Sequence, residues 1–214
     1  MNGELELILC DIGNTTYHFL IDGIHKKYLL QESLPKFKET IFYISVNDNA
    51  AKKLEKNQEK CVDLEEFLDF ETKYKGMGID RKVVCLGVEN AIIVDAGSAI
   101  TVDIMENFKH KGGFILPGIS RFINTYKKIS VKLDYEINTK VNLDTIPLCT
   151  QDAISYSILK SIILPIKEIS KDRKIIFTGG DGEFLSKYFD NCIYKDDLIF
   201  KNMKGIINAN NRIA

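Results

Sequence analysis

Two stretches of the chain read alike: CDIGNT at Cys10–Thr15 and VDAGSAITVD at Val94–Asp103. Each closes an apolar run with an aspartate, a small or aliphatic residue, a glycine and a small polar residue; the two aspartates, Asp11 and Asp95, stand 84 residues apart. A turn at the end of a strand exposes backbone N–H groups, and glycine, lacking a Cβ, lets that backbone close on a ligand. Asn14, Thr15, Ser98 and Thr101 add side-chain donors. Such a turn can hold a phosphate. A carboxylate on it would repel a bare phosphate, so its presence calls for a cation between them, as Mg²⁺ commonly sits with one carboxylate, waters and phosphate oxygens. Two such turns facing each other would clamp a triphosphate and its metal, and duplication of one half-molecule would supply both.

The sequence around each turn supports duplication. ELELILCDI (residues 4–12) reads as a strand, and TTYHFLIDGIHKKYLL (15–30) carries Asp22-Gly23 between two strand-like runs, a hairpin signal. LPKFKET (34–40) is helix-like, IFYISV (41–46) is a further strand, and NDNAAKKLEKNQEK (47–60) begins with helix-capping residues and continues as a solvated Lys/Glu face. The order then restarts. AIIVDAG (91–97), AITVDIMENF (99–108) and HKGGFILPG (110–118) are three strand candidates, with Asn107 near the first turn and Gly112-Gly113 near the second. SRFINTYKKI (120–129) reads as a helix; so does TQDAISYSILKSIILPIKEISK (150–171), where Ile154, Ile158, Ile162 and Ile166 recur every four residues and Pro165 is expected to kink the helix or end its first part. KIIFTGG (174–180), EFLSKYF (183–189) and LIFKNMKGIINANN (198–211) supply a last strand, a helix and a closing segment. The expected organisation is two similar α/β halves, 1–85 and 86–214, joined through a helix candidate, RKVVCLGVEN (81–90).

A third glycine-rich element, FTGGDG at Phe177–Gly182, lies between a strand and a helix, where a base or ribose could rest on exposed backbone. Familiar phosphate motifs are absent: there is no G-x-x-x-x-G-K-[ST], no paired H-R-D and D-F-G, and no G-x-G-x-x-G opening a helix. His18, His25 and His110 have no carboxylate or cysteine at ligand spacing and read as surface or strand histidines.

Composition sets the outer limits. At 214 residues and 45% hydrophobic content the chain can bury a sizeable core. Its 29 Lys and Arg nearly cancel 30 Asp and Glu, which leaves no global field for nucleic acid or an anionic membrane surface. No apolar run approaches the roughly 20 residues that cross a bilayer. The start, MNGELELILCDIG, is acidic and lacks a small-residue cleavage site, so the expected location is the cytoplasm. Five cysteines without a C-x-x-C pair suggest neither a disulfide framework nor a zinc site.

Taken together, DIGNT, GIDR (Gly78–Arg81), DAGSAITVD, GGFILPG, TQDAI and FTGGDG resemble the motifs of type III pantothenate kinases, in that family's order and over nearly the whole chain from Leu5 to about Gly205. The resemblance implies a fold of two ribonuclease-H-like halves of the actin-like ATPase kind, each a mixed five-stranded sheet flanked by helices, as in acetate and sugar kinases. It implies ATP-dependent phosphorylation of pantothenate, the first step of coenzyme A biosynthesis, by a cytoplasmic homodimer that uses Mg²⁺ with ATP and a monovalent cation, K⁺ or NH₄⁺. By position, Asp11, Gly13, Asn14, Thr15 and Thr16 match the first phosphate motif, with Asp11 near Mg²⁺, directly or through water. Gly97 and Ser98 match ATP-contacting positions, Thr178, Gly179 and Gly180 the adenosine motif, and Asp95 the monovalent-cation position. Gly78, Ile79, Asp80 and Arg81 match the pantothenate segment, Asp80 as catalytic base and Arg81 as the grip on the substrate carboxylate. Tyr74 matches a further substrate position, and Thr150 the threonine that reaches pantothenate across the dimer interface.

Departures from the family pattern are visible. Ser98 replaces the more frequent Thr, YKGMGIDR shortens the Tyr-to-Asp spacing and lacks its proline, Ser157 stands where glycine is common, and the chain is short for the family, its first half trimmed. The rivals from the same fold are a kinase of another small hydroxylated metabolite, such as a sugar, and a catalytically silent regulatory relative.

Overall fold

Residues 7–210 are described by the computed structural model, and they form two five-stranded sheets. In the first, β1 (Ile8–Ile12), β2 (Thr16–Ile21) and β3 (Ile24–Leu29) run antiparallel, while β4 (Ile41–Ser45) and β5 (Cys61–Asp63) add in parallel, giving the order β3-β2-β1-β4-β5. In the second, β6 (Ala91–Ala96), β7 (Ala99–Glu106) and β8 (Lys109–Pro117) are the antiparallel set; β9 (Ile175–Thr178) and β10 (Cys192–Tyr194) are the parallel pair, giving β10-β9-β6-β7-β8. Order and direction correspond strand for strand. Both sheets are flanked by helices: α1 (Asp48–Asn57), α2 (Ile79–Cys85), α3 (Ile119–Ile129), α4 (Thr150–Ser170), α5 (Gly182–Ser186) and α6 (Leu198–Ala209).

The chain divides into two compact units. One runs to Leu86 and takes back the residues from Asp197 onward; the other is Gly87–Asp196. The second unit therefore stops short of the expected 86–214. The reason is α6, whose buried Leu198, Phe200, Met203 and Ile207 give it an apolar face, and whose Asn202 donates to the carbonyl of Val83 at 2.7 Å, the end of α2.

In the first unit one sheet face carries Ile8, Cys10, Ile12, Tyr17, Phe19, Ile41 and Tyr43 against Ala50 and Leu54 of α1. Side chains alternate along a strand, so Asp11 belongs to the opposite face. Its cross-strand partner His18 meets Phe200 of α6 edge-on at 4.8 Å, which identifies that face as the one beneath α6. In the second unit Ile92, Val94, Ala96, Val102 and Phe177 pack with Ile154, Ile158, Ile162 and Ile166 of α4, leaving Asp95 on the other face.

Several expectations are corrected. LPKFKET is not a helix: buried Gln58 accepts the N–H of Phe37 at 3.0 Å and donates to the carbonyl of Pro35 at 2.7 Å, holding the segment open from 21 and 23 residues away. The helix expected at 81–90 starts earlier, at Ile79, and ends at Cys85, before Gly87 at φ +68°. The hairpin turn between β7 and β8 is Asn107-Phe108, both at positive φ, whereas Gly112-Gly113 lies inside β8, beside a bulge opposite Ile104 and Met105. α4 runs through Pro165 without ending; an interior proline costs about 3 kcal/mol, and the buried isoleucine stripe on α4 outweighs it. α5 is shorter than the seven residues expected. His110 sits on a strand but is buried, 2.9 Å from Asp103. Glu4, Leu5 and Glu6 of the first expected strand and the last residue of the closing segment lie outside the described residues.

Candidate active site

The first unit assembles its predicted residues at one end of its sheet. β1 ends in Asp11 and Ile12, and the turn that follows is closed by the N–H of Gly13 on the carbonyl of Thr16 at 3.0 Å, leaving Asn14 exposed. β4 ends at the same level, because the N–H of Val46 donates to the carbonyl of Ile12 at 3.1 Å. Gly78, the residue that precedes α2, fits against this edge: a Cβ there would stand 3.4 Å from Val46 Cγ1 and 2.5 Å from the Oδ1 of Asp80. Glycine at 78 thus leaves room for the Asp80 carboxylate to fold back, where it accepts the N–H of Arg81 at 2.8 Å. Asp80 and Asp11 consequently share the carboxyl end of the parallel pair β1–β4, the end at which α/β sheets place ligands. Ile79, the first residue of α2, is buried.

Arg81 is not a surface partner of Asp80. It is 4% exposed, and its guanidinium lies over the ring of Tyr74, 4.5 Å from the ring centre. The short spacing between Tyr74 and Asp80 therefore ends with the tyrosine on the arginine.

The second unit builds the corresponding strand end from three segments. The N–H of Gly97 donates to the carbonyl of Ala99 at 2.9 Å, and exposed Ser98 follows. Buried Gly118, at the end of β8, supports this turn from below: its N–H donates to the carbonyl of Ser98 at 3.1 Å, and a Cβ at 118 would collide with the carbonyl of Gly97. Gly179, at φ +82°, lies directly on Asp95, since a Cβ there would run into the Asp95 carboxylate and stand 2.7 Å from the carbonyl of Ala96. The N–H of Asp181 fixes the same turn to Ala96 at 2.9 Å, and buried Thr178 is the cross-strand partner of Asp95. Gly180 is exposed. Burial pushes the Asp181 carboxyl above its ordinary range. It also pushes the Tyr194 phenol up to about 12, with help from a hydrogen bond to Asp196.

Sequence reasoning gave Val46 no role, quoted Gly118 only within GGFILPG, and read Asp181 only as a residue near a helix N-cap, where it does precede α5. Gly118 had a signal in the Pro-Gly pair that closes β8; Val46 had none, because its importance comes only from strand pairing. Thr150 is exposed at the first residue of α4, behind an exposed Cys149 and a fully exposed Leu148. A cavity of about 360 Å³ opens instead at the opposite end of the second sheet, beside Ala91, Met105, Lys174 and the Arg173–Glu106 ion pair, away from the Asp95 turn.

Among the described residues no three His, Cys, Asp or Glu side chains gather into a metal cage. One carboxylate on each glycine turn fits a cation held mainly by phosphate oxygens and water, the usual manner of Mg²⁺. Asp11 suits that arrangement.

Comparison with known proteins decides the family. The type III pantothenate kinase profile matches residues 21–172. A type III pantothenate kinase of Campylobacter jejuni is 47% identical over 205 residues, 95% of this chain and 98% of that protein, and one of Helicobacter hepaticus is 44% identical over 94% and 98%. The chain belongs to the type III pantothenate kinase family. Its brevity is shared by these relatives, which it matches nearly end to end. A crystal structure from Campylobacter jejuni, described under the name of a Baf family transcriptional activator, superposes with a TM-score of 0.81 at 43% identity, covering 96% of this chain and all of that one. A 2-dehydro-3-deoxygalactonokinase structure from Sinorhizobium meliloti, at 9% identity and a TM-score of 0.62, shares the fold alone. A type III pantothenate kinase is thus built here on the actin-like ATPase and sugar kinase fold. Among the described residues no helix is long and apolar enough to cross a membrane.

Proposed function

We propose that this chain transfers the γ-phosphoryl group of ATP to the primary hydroxyl of pantothenate, giving 4′-phosphopantothenate and ADP, the reaction that opens coenzyme A synthesis. The observation that carries the proposal is the placement of Asp80, folded back over Gly78 at the sheet end that also presents Asp11. The hydroxyl oxygen attacks the γ-phosphorus, its proton passes to the Asp80 carboxylate, and the bond from the γ-phosphorus to the bridging oxygen breaks, its electron pair leaving with ADP. Phosphoryl transfer needs mainly positioning and charge neutralisation, so Asp80 needs no unusual acidity to act as base. Arg81, a planar fork, pairs with the pantothenate carboxylate.

Gly13, Asn14, Thr15 and Thr16 receive phosphate oxygens; Gly97 and Ser98 contact ATP, and Thr178, Gly179 and Gly180 form the surface for the adenosine. Bound Mg²⁺ would neutralise charge on the phosphates, with Asp11 holding it directly or through water. Asp95 takes the monovalent cation, K⁺ or NH₄⁺. The active form is a homodimer in which Thr150 reaches the partner's pantothenate. Support comes from the apolar residues that the second unit leaves exposed, Ile146 and Leu148 just before Thr150 and Ile129, Val131 and Leu164 elsewhere, more than a monomer gains from leaving in water. The two units arose from one duplicated half. The five free cysteines accord with the reducing cytoplasm.

A regulatory role has one point in its favour, the transcriptional-activator name of the Campylobacter jejuni structure. Against it stand the retained Asp11, Asp80, Arg81 and Asp95 and a net charge of −1, which offers no hold on DNA. A coupled ADP-release assay with pantothenate, with glucose and with no acceptor separates the readings. Pantothenate alone should stimulate release; stimulation by glucose would indicate a sugar kinase, and none with either would leave a silent relative.

A further inference from the structure

We infer that His18 and His25 form a binding site for one divalent transition-metal ion of the kind that prefers imidazole, Ni²⁺, Cu²⁺ or Zn²⁺, and that the bound ion ties the edge strand β3 to β2.

The two histidines flank the Asp22-Gly23 turn, and strand pairing makes them neighbours. Across the β2–β3 ladder His18 stands opposite Lys27 and His25 opposite Leu20, so the histidines are diagonal neighbours on one face of the hairpin, the face that also carries Asp11. This brings Nε2 of His18 to 3.0 Å from Nδ1 of His25. Both rings rest on Phe200 of α6, His18 edge-on at 4.8 Å and His25 tilted at 5.5 Å between ring centres. Packing of this kind restricts the side chains in advance and lowers the entropy cost of holding a ligand.

A spacing of 3.0 Å suits a shared metal. With metal–nitrogen bonds of about 2.0–2.1 Å, the two nitrogens subtend about 95° at the ion. That is near the right angle between neighbouring ligands in octahedral or square-planar sites, which favours Ni²⁺ and Cu²⁺ over tetrahedral Zn²⁺. Without a metal, one ring donates its N–H to the other. When the ion enters, that proton passes through water to the outer nitrogen of the same ring, so both facing lone pairs bind the metal and no net proton is released. Each ring also turns to point its lone pair at the ion, and His25, exposed on β3, has the room. Water completes the coordination. Lys27 lies on the same face, but it is exposed and can carry its charge outward; Asp11, opposite His18 on β1, supplies the favourable sign.

The consequence is mechanical. β3 is the edge of its sheet, paired on one side only, with β2. An ion bridging His18 and His25 adds a link between these strands beyond the backbone ladder.

The probe is Ni²⁺, titrated by calorimetry into the full chain without nucleotide and with Mg²⁺ in excess. Mg²⁺ takes oxygen ligands and competes at carboxylates such as Asp11, while imidazoles remain for Ni²⁺. One Ni²⁺ per chain should bind, and the backbone amides of residues 24–29 should then exchange hydrogen more slowly. His18→Asn and His25→Asn should each weaken binding roughly 100-fold, because the second attachment of a chelated ion is intramolecular, and each should abolish the slower exchange. Melting without metal checks that the variants fold, and His25→Asn, at an exposed position, decides the matter if His18→Asn does not fold. Absence of Ni²⁺ binding by the wild type would overturn the inference. So would binding that survives both substitutions, which would put the ion elsewhere, for example on the exposed Cys149. Binding that depends on both histidines but leaves exchange in β3 unchanged would overturn the tie between the strands.

Discussion

Replacing Gly179 by alanine tests whether the glycine turn on Asp95 is a close-packed cradle. Gly179 has φ +82°, a conformation that L side chains rarely adopt, and a Cβ there would run into the Asp95 carboxylate and stand 2.7 Å from the carbonyl oxygen and 2.8 Å from the carbonyl carbon of Ala96. The left-handed backbone alone costs about 1–2 kcal/mol. Overpacking against backbone adds about 1–3 kcal/mol, because neither Ala96, in β6, nor the turn pinned by the N–H of Asp181 can withdraw freely. The sum, about 2–5 kcal/mol, corresponds to a fall in Tm of roughly 5–15 °C for a protein of this size. Gly180 is the internal control. Its φ is not in the left-handed region and an added Cβ meets nothing within 4 Å, so Gly180→Ala should melt close to the wild type. Thermal unfolding followed by circular dichroism compares the two variants directly. Should Gly179→Ala and Gly180→Ala melt within a degree of each other, the proposed packing of this turn on Asp95 would be wrong.

Other expected outcomes concern single side chains. Thr150→Ala should raise the KM for pantothenate about three- to tenfold, the worth of one hydrogen bond, and leave that for ATP little changed; an equal rise in both, by steady-state kinetics, would remove Thr150 from the pantothenate contact. For Asp181 the folded protein holds the proton to higher pH than the unfolded chain does, because burial disfavours the carboxylate. Its relative stabilisation is present in acid and is lost as pH rises through the raised value, so Asp181→Asn should raise Tm at pH 7, with the gain shrinking as pH falls into the ordinary carboxylate range. A constant difference across that range, by melting at several pH values, would contradict the burial argument.

What could be read from the sequence was local or repeated. The two aspartate-glycine turns were legible because the same pattern occurs twice, and strand order repeats with them. The β2–β3 hairpin was legible because Asp22 and Gly23, at φ 48° and 81°, are residues that tolerate positive φ. What could not be read depended on distant partners. LPKFKET has the spacing of a short helix, yet the side chain of Gln58 claims its backbone groups. Pro165 is a local helix breaker, but tertiary burial of the isoleucine stripe overrides it. His110 lacks any ligand at sequence spacing, and only β7–β8 pairing brings it to Asp103.

The candidate site divides in the same way. Asp11, Gly13, Gly78 and Asp80 were found as motifs, but nothing local states that β4 joins them: Val46 does so by bonding Ile12 and packing at Gly78. Arg81 and Tyr74 were each found by position; that one lies over the other is a fact of three dimensions.

The central claim, that Asp80 accepts the proton of the pantothenate hydroxyl, is tested most directly by Asp80→Asn, measuring single-turnover phosphorylation of pantothenate together with ATP binding by calorimetry. A positioned base contributes roughly 10²–10⁴-fold, so the account predicts a rate loss of that order with ATP affinity nearly unchanged. Phosphorylation at the wild-type rate would contradict it.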